Sequence, residues 1–210
     1  MGIQINGQTD IISASDGSLT ISGANLPTVT NLNATGIVTA TSFSGGGSAL
    51  TGVGSILQVV QASKTDTTST ASQDTFVDLG LSTSITPSSS SNKVLVMVSI
   101  GRVCKNNTTI RLCPFRILRD ATAIGIGDAD GVKLQCNFAI SDVPDNNYGS
   151  GCAYQYLDSP STTSSTTYKI QWSGQAGETW YLHRSSDNNN NTDTPNSRQS
   201  SHIILMEVAG

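Results

Sequence analysis

Before Lys64 the chain contains no lysine or arginine, and Asp10 and Asp16 are its only acids. Ionic side chains stay scarce throughout, at 12%, and aromatics make up 5%. No cluster of Lys and Arg exists with which to neutralise phosphates, which argues against a nucleic-acid partner, and a net charge of −4 points the same way. Long apolar runs are missing too. Val94–Val98 and Ile203–Met206 are strand-sized, so membrane insertion is not expected. The first residues lack the positive start and apolar centre of a signal peptide, so assembly in a cytoplasm is expected, where the four cysteines begin reduced. They show no Cys-x-x-Cys spacing, and buried thiols are their expected state. Cys136 and Cys152 flank the Pro144–Asn147 turn and could face each other across a hairpin; Cys104 and Cys113 are less well placed to do so.

What is present is Ser and Thr, about a quarter of the chain, with an apolar fraction of 36% in short β-branched runs. That combination describes a folded β protein better than a disordered one. The first region, 1–55, is written in Gly, Ser, Thr, Asn and β-branched residues, with Asp16-Gly17 as its best hairpin signal and no helical periodicity. Phe43 is its only aromatic. A segment this short buries only ~60% of its unfolded surface when alone. Ordering its backbone costs ~1–2 kcal/mol per residue, against ~1.5–3 kcal/mol returned by each fully buried large side chain. Winding with identical chains around a common axis would bury those side chains and pair the strand edges, giving an intertwined β stalk. A partly ordered linker is the alternative.

The second region, 56–210, reads as ten short strands: 57–63, 75–85, 93–104, 110–119, 122–128, 133–141, 151–159, 166–173, 179–185 and 202–208. Alternation is clean in places. Tyr168, Ile170 and Trp172 share one face, and Lys169 and Gln171 the other. Polar turns at 87–92, 106–107, 144–147, 174–177 and 187–196 separate the strands. Short, evenly spaced strands of this kind predict an all-β, β-sandwich or jelly-roll-like head domain.

Specific stretches carry a resemblance. Asn33-Ala-Thr-Gly-Ile-Val-Thr-Ala-Thr-Ser-Phe-Ser-Gly-Gly-Gly-Ser-Ala-Leu-Thr-Gly52 resembles the stalk repeats of tail-fibre proteins from marine phages, cyanophages especially. Ile56–Gln61, Ser84–Val96, Phe115–Asp120, Leu157–Tyr168 and Ile204–Gly210 resemble the C-terminal domain of such proteins. The resemblance implies a homotrimer located in the virion, attached to the particle or to a host surface; separately, no cofactor is expected. Unlike long tail fibres, the chain has neither a large anchoring domain nor many stalk repeats. Its N-terminus, with Ile3, Ile5, Ile11 and Ile12, is therefore expected to be the anchor that binds other virion proteins. A short tail fibre is the preferred reading. A head fibre, or a capsid decoration (cement) protein lying on the shell, stays open.

Sites of chemistry are few. His183 and His202 form no metal pair in sequence, and polar strand positions are expected for both. Asp187–Asp193 alternates oxygen ligands as a calcium loop does, but Thr192 stands where that loop needs glycine and no closing Glu follows. The Gly125–Asp130 stretch lacks the third glycine and the helix of a phosphate loop, and is expected to be a strand running into a turn. No paired carboxylates for glycan cleavage are identifiable, so an enzyme is not expected. Receptor contacts are expected in distal loops, which vary while the sheets hold them in place. The candidates are Lys105, Asn106 and Asn107; Asp145, Asn146 and Asn147; and Asp187, Asn189, Asn191 and Asp193, whose amides suit the hydroxyls of a host-surface glycan. Trp172 and Trp180 could stack on a sugar, but their alternating strands place them in the core.

Overall fold

The computed structural model describes residues 56–106, 111–141, 148–175, 177–193 and 196–210. The proposed stalk, the Asp16-Gly17 hairpin and the anchor residues Ile3, Ile5, Ile11 and Ile12 lie outside the described residues. Eleven strands form the fold: β1 Ile56–Lys64, β2 Thr68–Thr70, β3 Val77–Ile85, β4 Lys93–Lys105, β5 Leu112–Arg119, β6 Thr122–Ile124, β7 Phe138–Ser141, β8 Ser150–Asp158, β9 Thr166–Trp172, β10 Trp180–Leu182 and β11 Ser201–Val208. Among the described residues there is no α-helix.

Two antiparallel sheets share the strands. One runs β1-β11-β4-β10-β2, with β8 on the opposite edge of β4; the other runs β3-β9-β5-β6, with β7 also pairing β5. Their inner faces make one core. From the first sheet come Val94, Val96, Val98, Ile100, Ile203 and Leu205. The second contributes Leu79, Leu81, Phe115, Ile117, Tyr168, Ile170 and Trp172. Phe115 stacks on Phe138 at 5.1 Å between centroids, and Phe138 on Tyr154 at 5.3 Å, so aromatic contacts run from one sheet to the other. The molecule is an all-β sandwich.

Each of the ten expected strands is present, with changed ends. The strand expected over 122–128 stops at Ile124, because Gly125 turns the chain at φ +61°. The one expected over 133–141 begins only at Phe138. Asn137, just before it, replaces the ladder with its side chain: Nδ2 donates to the carbonyls of Ile124 and Gly125, and Oδ1 accepts from Ile117 N–H. The strand expected over 179–185 ends at Leu182, since His183 adopts φ +62°. β2, Thr-Ser-Thr, was not expected, since a three-residue polar run carries no periodicity.

The cysteines do not pair. All four are free thiols. Cys152 lies on β8, in the first sheet, while Cys136 precedes β7, which pairs in the second, so no hairpin joins them. Cys104 and Cys113 are likewise in opposite sheets, and both are buried. Burial pushes the Cys152 thiol up to about 11 and raises that of Cys136, which keeps both protonated and unreactive.

Buried polar groups tie the sandwich at both ends. At the end where β1 starts, Glu207 Oε1 accepts from Ser88 N–H at 2.6 Å, Ser88 Oγ at 2.7 Å and Asn92 Nδ2 at 2.6 Å, fixing the β3–β4 turn to β11. Asp158 closes β8 onto the other sheet through Arg119 Nη1 at 2.8 Å and the buried Tyr168 hydroxyl at 2.6 Å. Toward the opposite end, the His183 ring is fully buried, with Nδ1 2.9 Å from the Asp66 carbonyl and Nε2 2.7 Å from Ser201 Oγ.

Two consequences are measurable. Burial holds His183 below its ordinary 6.5. For Glu207, burial pushes upward, but the bonds from Ser88 and Asn92 outweigh it and hold the carboxyl below 4.5. Both groups have depressed values in the fold, so both stabilise at neutral pH and lose that contribution on acidification. Urea unfolding should show stability declining first below pH 6.5 and again below pH 4.5. Glu207→Gln should flatten the lower decline and leave the upper one. Asp158→Ala strands the Tyr168 hydroxyl and frees Arg119, and should cost about 2–4 kcal/mol in the same assay.

Candidate functional site

Strand register defines the two ends of the sandwich. Ile56 of β1 lies opposite Val208 of β11, which lies opposite Lys93 at the start of β4; Asp158, the last residue of β8, pairs with Val94. The chain therefore enters the sandwich where β4 begins. β4 finishes at the other end, where β8 starts with Ser150 opposite Val103, and β7 ends with Ser141 opposite Leu112. The connections over 106–111 and 142–149 leave from that far end. The connection over 183–200 leaves beside Arg102, whose carbonyl accepts from His183 N–H. All three stretches expected to carry receptor contacts thus join strands at the end remote from Ile56.

Individual residues differ from expectation. Lys105 is not a loop residue: it is the last residue of β4, fully buried opposite Trp180 of β10. Pairing with β10, a partner distant in sequence, extends the strand past its expected end. Asn106 is exposed but anchored, for its Oδ1 accepts from Thr179 N–H at 2.9 Å and its N–H donates to the Thr179 carbonyl. Asn107, Asp145, Asn146 and Asn147 lie outside the described residues. Asp187, Asn189, Asn191 and Asp193 are exposed. Part of that loop's amide capacity is used internally: Asn191 Nδ2 donates to Asp193 Oδ2 at 2.7 Å, its Oδ1 accepts from Asp193 N–H and Asn196 Nδ2, and Arg198 donates to Asn188 Oδ1. Among the described residues, no group of three or more His, Cys, Asp or Glu side chains is placed to hold a metal. Trp172 and Trp180 are core residues, 1% and 0% exposed.

A cleft at the same far end was not foreseen. The segment after β2 runs alongside the segment after β9: Gln73 bridges to Gly174, Asp74 N–H donates to the Gly174 carbonyl, and Gly174 N–H donates to the Ser72 carbonyl at 2.9 Å. Glycine is required at 174, since a Cβ would sit 2.8 Å from Trp180 Cδ1. Gln73, Asp74, Arg111 and Gln175 line a polar cavity of about 220 Å³. An apolar cavity of about 200 Å³ adjoins it, lined by Leu112, Pro114, Leu134, Cys136 and Ala139, and shares Asp74 and Gln175. Behind Arg111 the Glu178 carboxylate is 3% exposed and 3.7 Å from Arg111 Nε. Its Oε2 and the Gln175 Oε1 are buried acceptors with no hydrogen-bond donor among the described residues. One side of the cleft thus offers an amide, a carboxylate and a guanidinium, and the other an apolar wall. The residues come from four separate segments, so no spacing in the sequence announces them.

A second surface is the outward face of β1, β11, β4 and β8. The registers align its side chains in rows. Val59, Met206, Leu95 and Leu157 form one row; Gln61, Ile204, Met97 and Gln155 the next; Ser63, His202, Ser99 and Ala153 the third. Polarity therefore rises along the strands, from an apolar row near Ile56 to a hydroxyl and imidazole row. Among the described residues eight large apolar side chains are exposed, and Ile56, Leu57, Val59 and Leu157 of these sit at the apolar end of this one sheet. A shallow groove of about 540 Å³ crosses the second and third rows, lined by Met97, Ser99, Ala153, Gln155, His202 and Ile204. Of the two histidines, His202 belongs to this face, with Nδ1 2.9 Å from Ser63 Oγ, whereas His183 is interior. In comparisons with known proteins, no protein-family model matches the chain, and no curated protein matches it.

Proposed function

We propose that the chain is a structural, non-enzymatic component of a bacteriophage particle: a short trimeric fibre or spike, on the tail, held by residues before Ile56 and presenting the β-sandwich as its head. One observation carries this reading. The chain joins the sandwich at the β1 end, and the strands joined over 106–111, 142–149 and 183–200 have their connected ends at the far end, where the Gln73–Arg111 cleft also lies. A head attached at one end and carrying its connecting loops at the other is the arrangement an adsorption protein needs, because the anchored end is committed to the particle. The far-end cleft suits a host-surface glycan. Asp74 accepts from sugar hydroxyls, Arg111 and Gln73 donate to them, and the adjoining apolar wall takes the C–H face of a ring.

Two measurements test the proposal. Electron cryomicroscopy of particles labelled with an antibody against residues 56–210 should place the protein on the tail. Density flat against the capsid shell would instead assign it as a decoration protein, and absence from particles would end the reading. Purified full-length protein on an array of bacterial surface glycans should bind at least one class, and Arg111→Ala should weaken that binding tenfold or more with an unchanged circular dichroism spectrum. Equal binding by wild type and variant would remove the cleft from the proposal.

A further inference from the structure

We infer that the outward face of β1, β11, β4 and β8 is a self-association surface, and that it brings copies of this chain together in parallel, around an axis running along the strands. The occupant is a second copy. This deepens the trimer reading by naming the surface, and rests on that reading only for the number of copies.

A face of this kind is unusual for one side of an antiparallel sheet. Such a sheet commonly buries one face and gives the other polar residues. Here the inward positions of β11 and β4 include Ile203, Leu205, Val94, Val96 and Val98, and their outward positions Met206, Ile204, Leu95 and Met97 are apolar as well. Single exposed apolar residues need no partner, but a continuous row across four strands does. Charge offers no obstacle to like meeting like. The three rows contain no Asp, Glu, Lys or Arg, and Lys93 stands at the rim.

The gradient along the strands selects the orientation. In a parallel arrangement, rows meet at the same level, apolar against apolar and amide against amide, so Gln61 and Gln155 can bond to their counterparts. An antiparallel pairing would press the apolar Val59–Leu157 row against the polar Ser63–His202 pair and Ser99, desolvating them against side chains that offer no hydrogen bond in return. A parallel arrangement also brings every copy's Ile56 to one end, from which the preceding stretch, free of Lys and Arg, continues in each copy. The area of the face is modest. Four strands about 4.8 Å apart, over about seven residues of 3.3 Å rise, present roughly 450 Å² in projection. A standard interface buries about 800 Å² per partner. The face supplies about half, so residues before Ile56 are expected to contribute to the same association.

The test uses the full chain. Light scattering on the wild type should give a multiple of the 21.9 kDa subunit mass. Val59→Arg combined with Leu157→Arg should shift the protein toward single subunits, with association weakened at least 100-fold and the β-sheet spectrum retained; both side chains are already about half exposed, so the sandwich itself should tolerate the change. Val132→Arg, at a fully exposed position away from this sheet, should leave the mass unchanged. A wild-type mass of one subunit would overturn both this inference and the trimer reading. An assembled but folded double variant would overturn only the choice of surface. Should the double variant unfold, a photocrosslinker at Leu57 in otherwise native protein decides, with mixed light and heavy isotope labels separating cross-links between copies from those within one. Links between copies to the peptides holding Val59, Leu95 or Val208 support the parallel face. Links to Ser99 or His202 of another copy, or no links between copies, overturn it.

Discussion

The structure depends on one long strand. β4 runs thirteen residues, from Lys93 to Lys105, and pairs with β11 and β10 on one edge and β8 on the other. Its strict alternation, Val94, Val96, Val98 and Ile100 inward against Leu95, Met97 and Ser99 outward, sets the orientation of every strand hydrogen-bonded to it. A one-residue slip would send the buried valines to the outer face. That makes β4 both the floor of the core and the centre of the outer apolar face, so the two properties cannot be separated by mutation of its backbone register.

Polar burial then fixes what apolar packing leaves loose. Hydrophobic contact does not discriminate well among small sliding motions of two sheets, whereas Glu207 with Ser88 and Asn92, and Asp158 with Arg119 and Tyr168, each demand one geometry. Both networks sit at the end where the chain enters. His183 with Ser201 and Asp66 holds the base of the long connection over 183–200. The far end is thereby free to carry irregular segments and a cleft whose acceptors are not all satisfied within the fold. Such groups are tolerated where stability is supplied elsewhere.

Much of the fold was legible in the residues. The ten expected strands exist because β-branched and aromatic residues alternate between polar turns, and Tyr168, Ile170 and Trp172 share the inner face as their period of two requires. What failed was consistent in kind. β2 is three polar residues that become a strand only because β10 lies beside them. Lys105 reads as the start of a loop and is drawn into β4 by Trp180, some seventy residues away. Asn137 ends one strand and begins another through bonds to carbonyls that no local pattern reveals. The four cysteines are thiols, as expected; the possible Cys136–Cys152 hairpin contact does not form, because proximity in sequence across a turn says nothing about which sheet each strand joins.

The sequence by itself determined that the described region would be all-β, where its strands lie, and that nothing before Lys64 carries a positive charge. It did so because period-two alternation, turn chemistry and composition are local properties that survive without knowledge of neighbours. Only the tertiary structure decided which strands are adjacent, and so which side of Leu95, Met97, Ile204 and Met206 is left uncovered; in sequence these residues are indistinguishable from core. It alone assembled Gln73, Asp74, Arg111 and Gln175 into one cleft, because residues from three segments meet only when two sheets have been stacked in register.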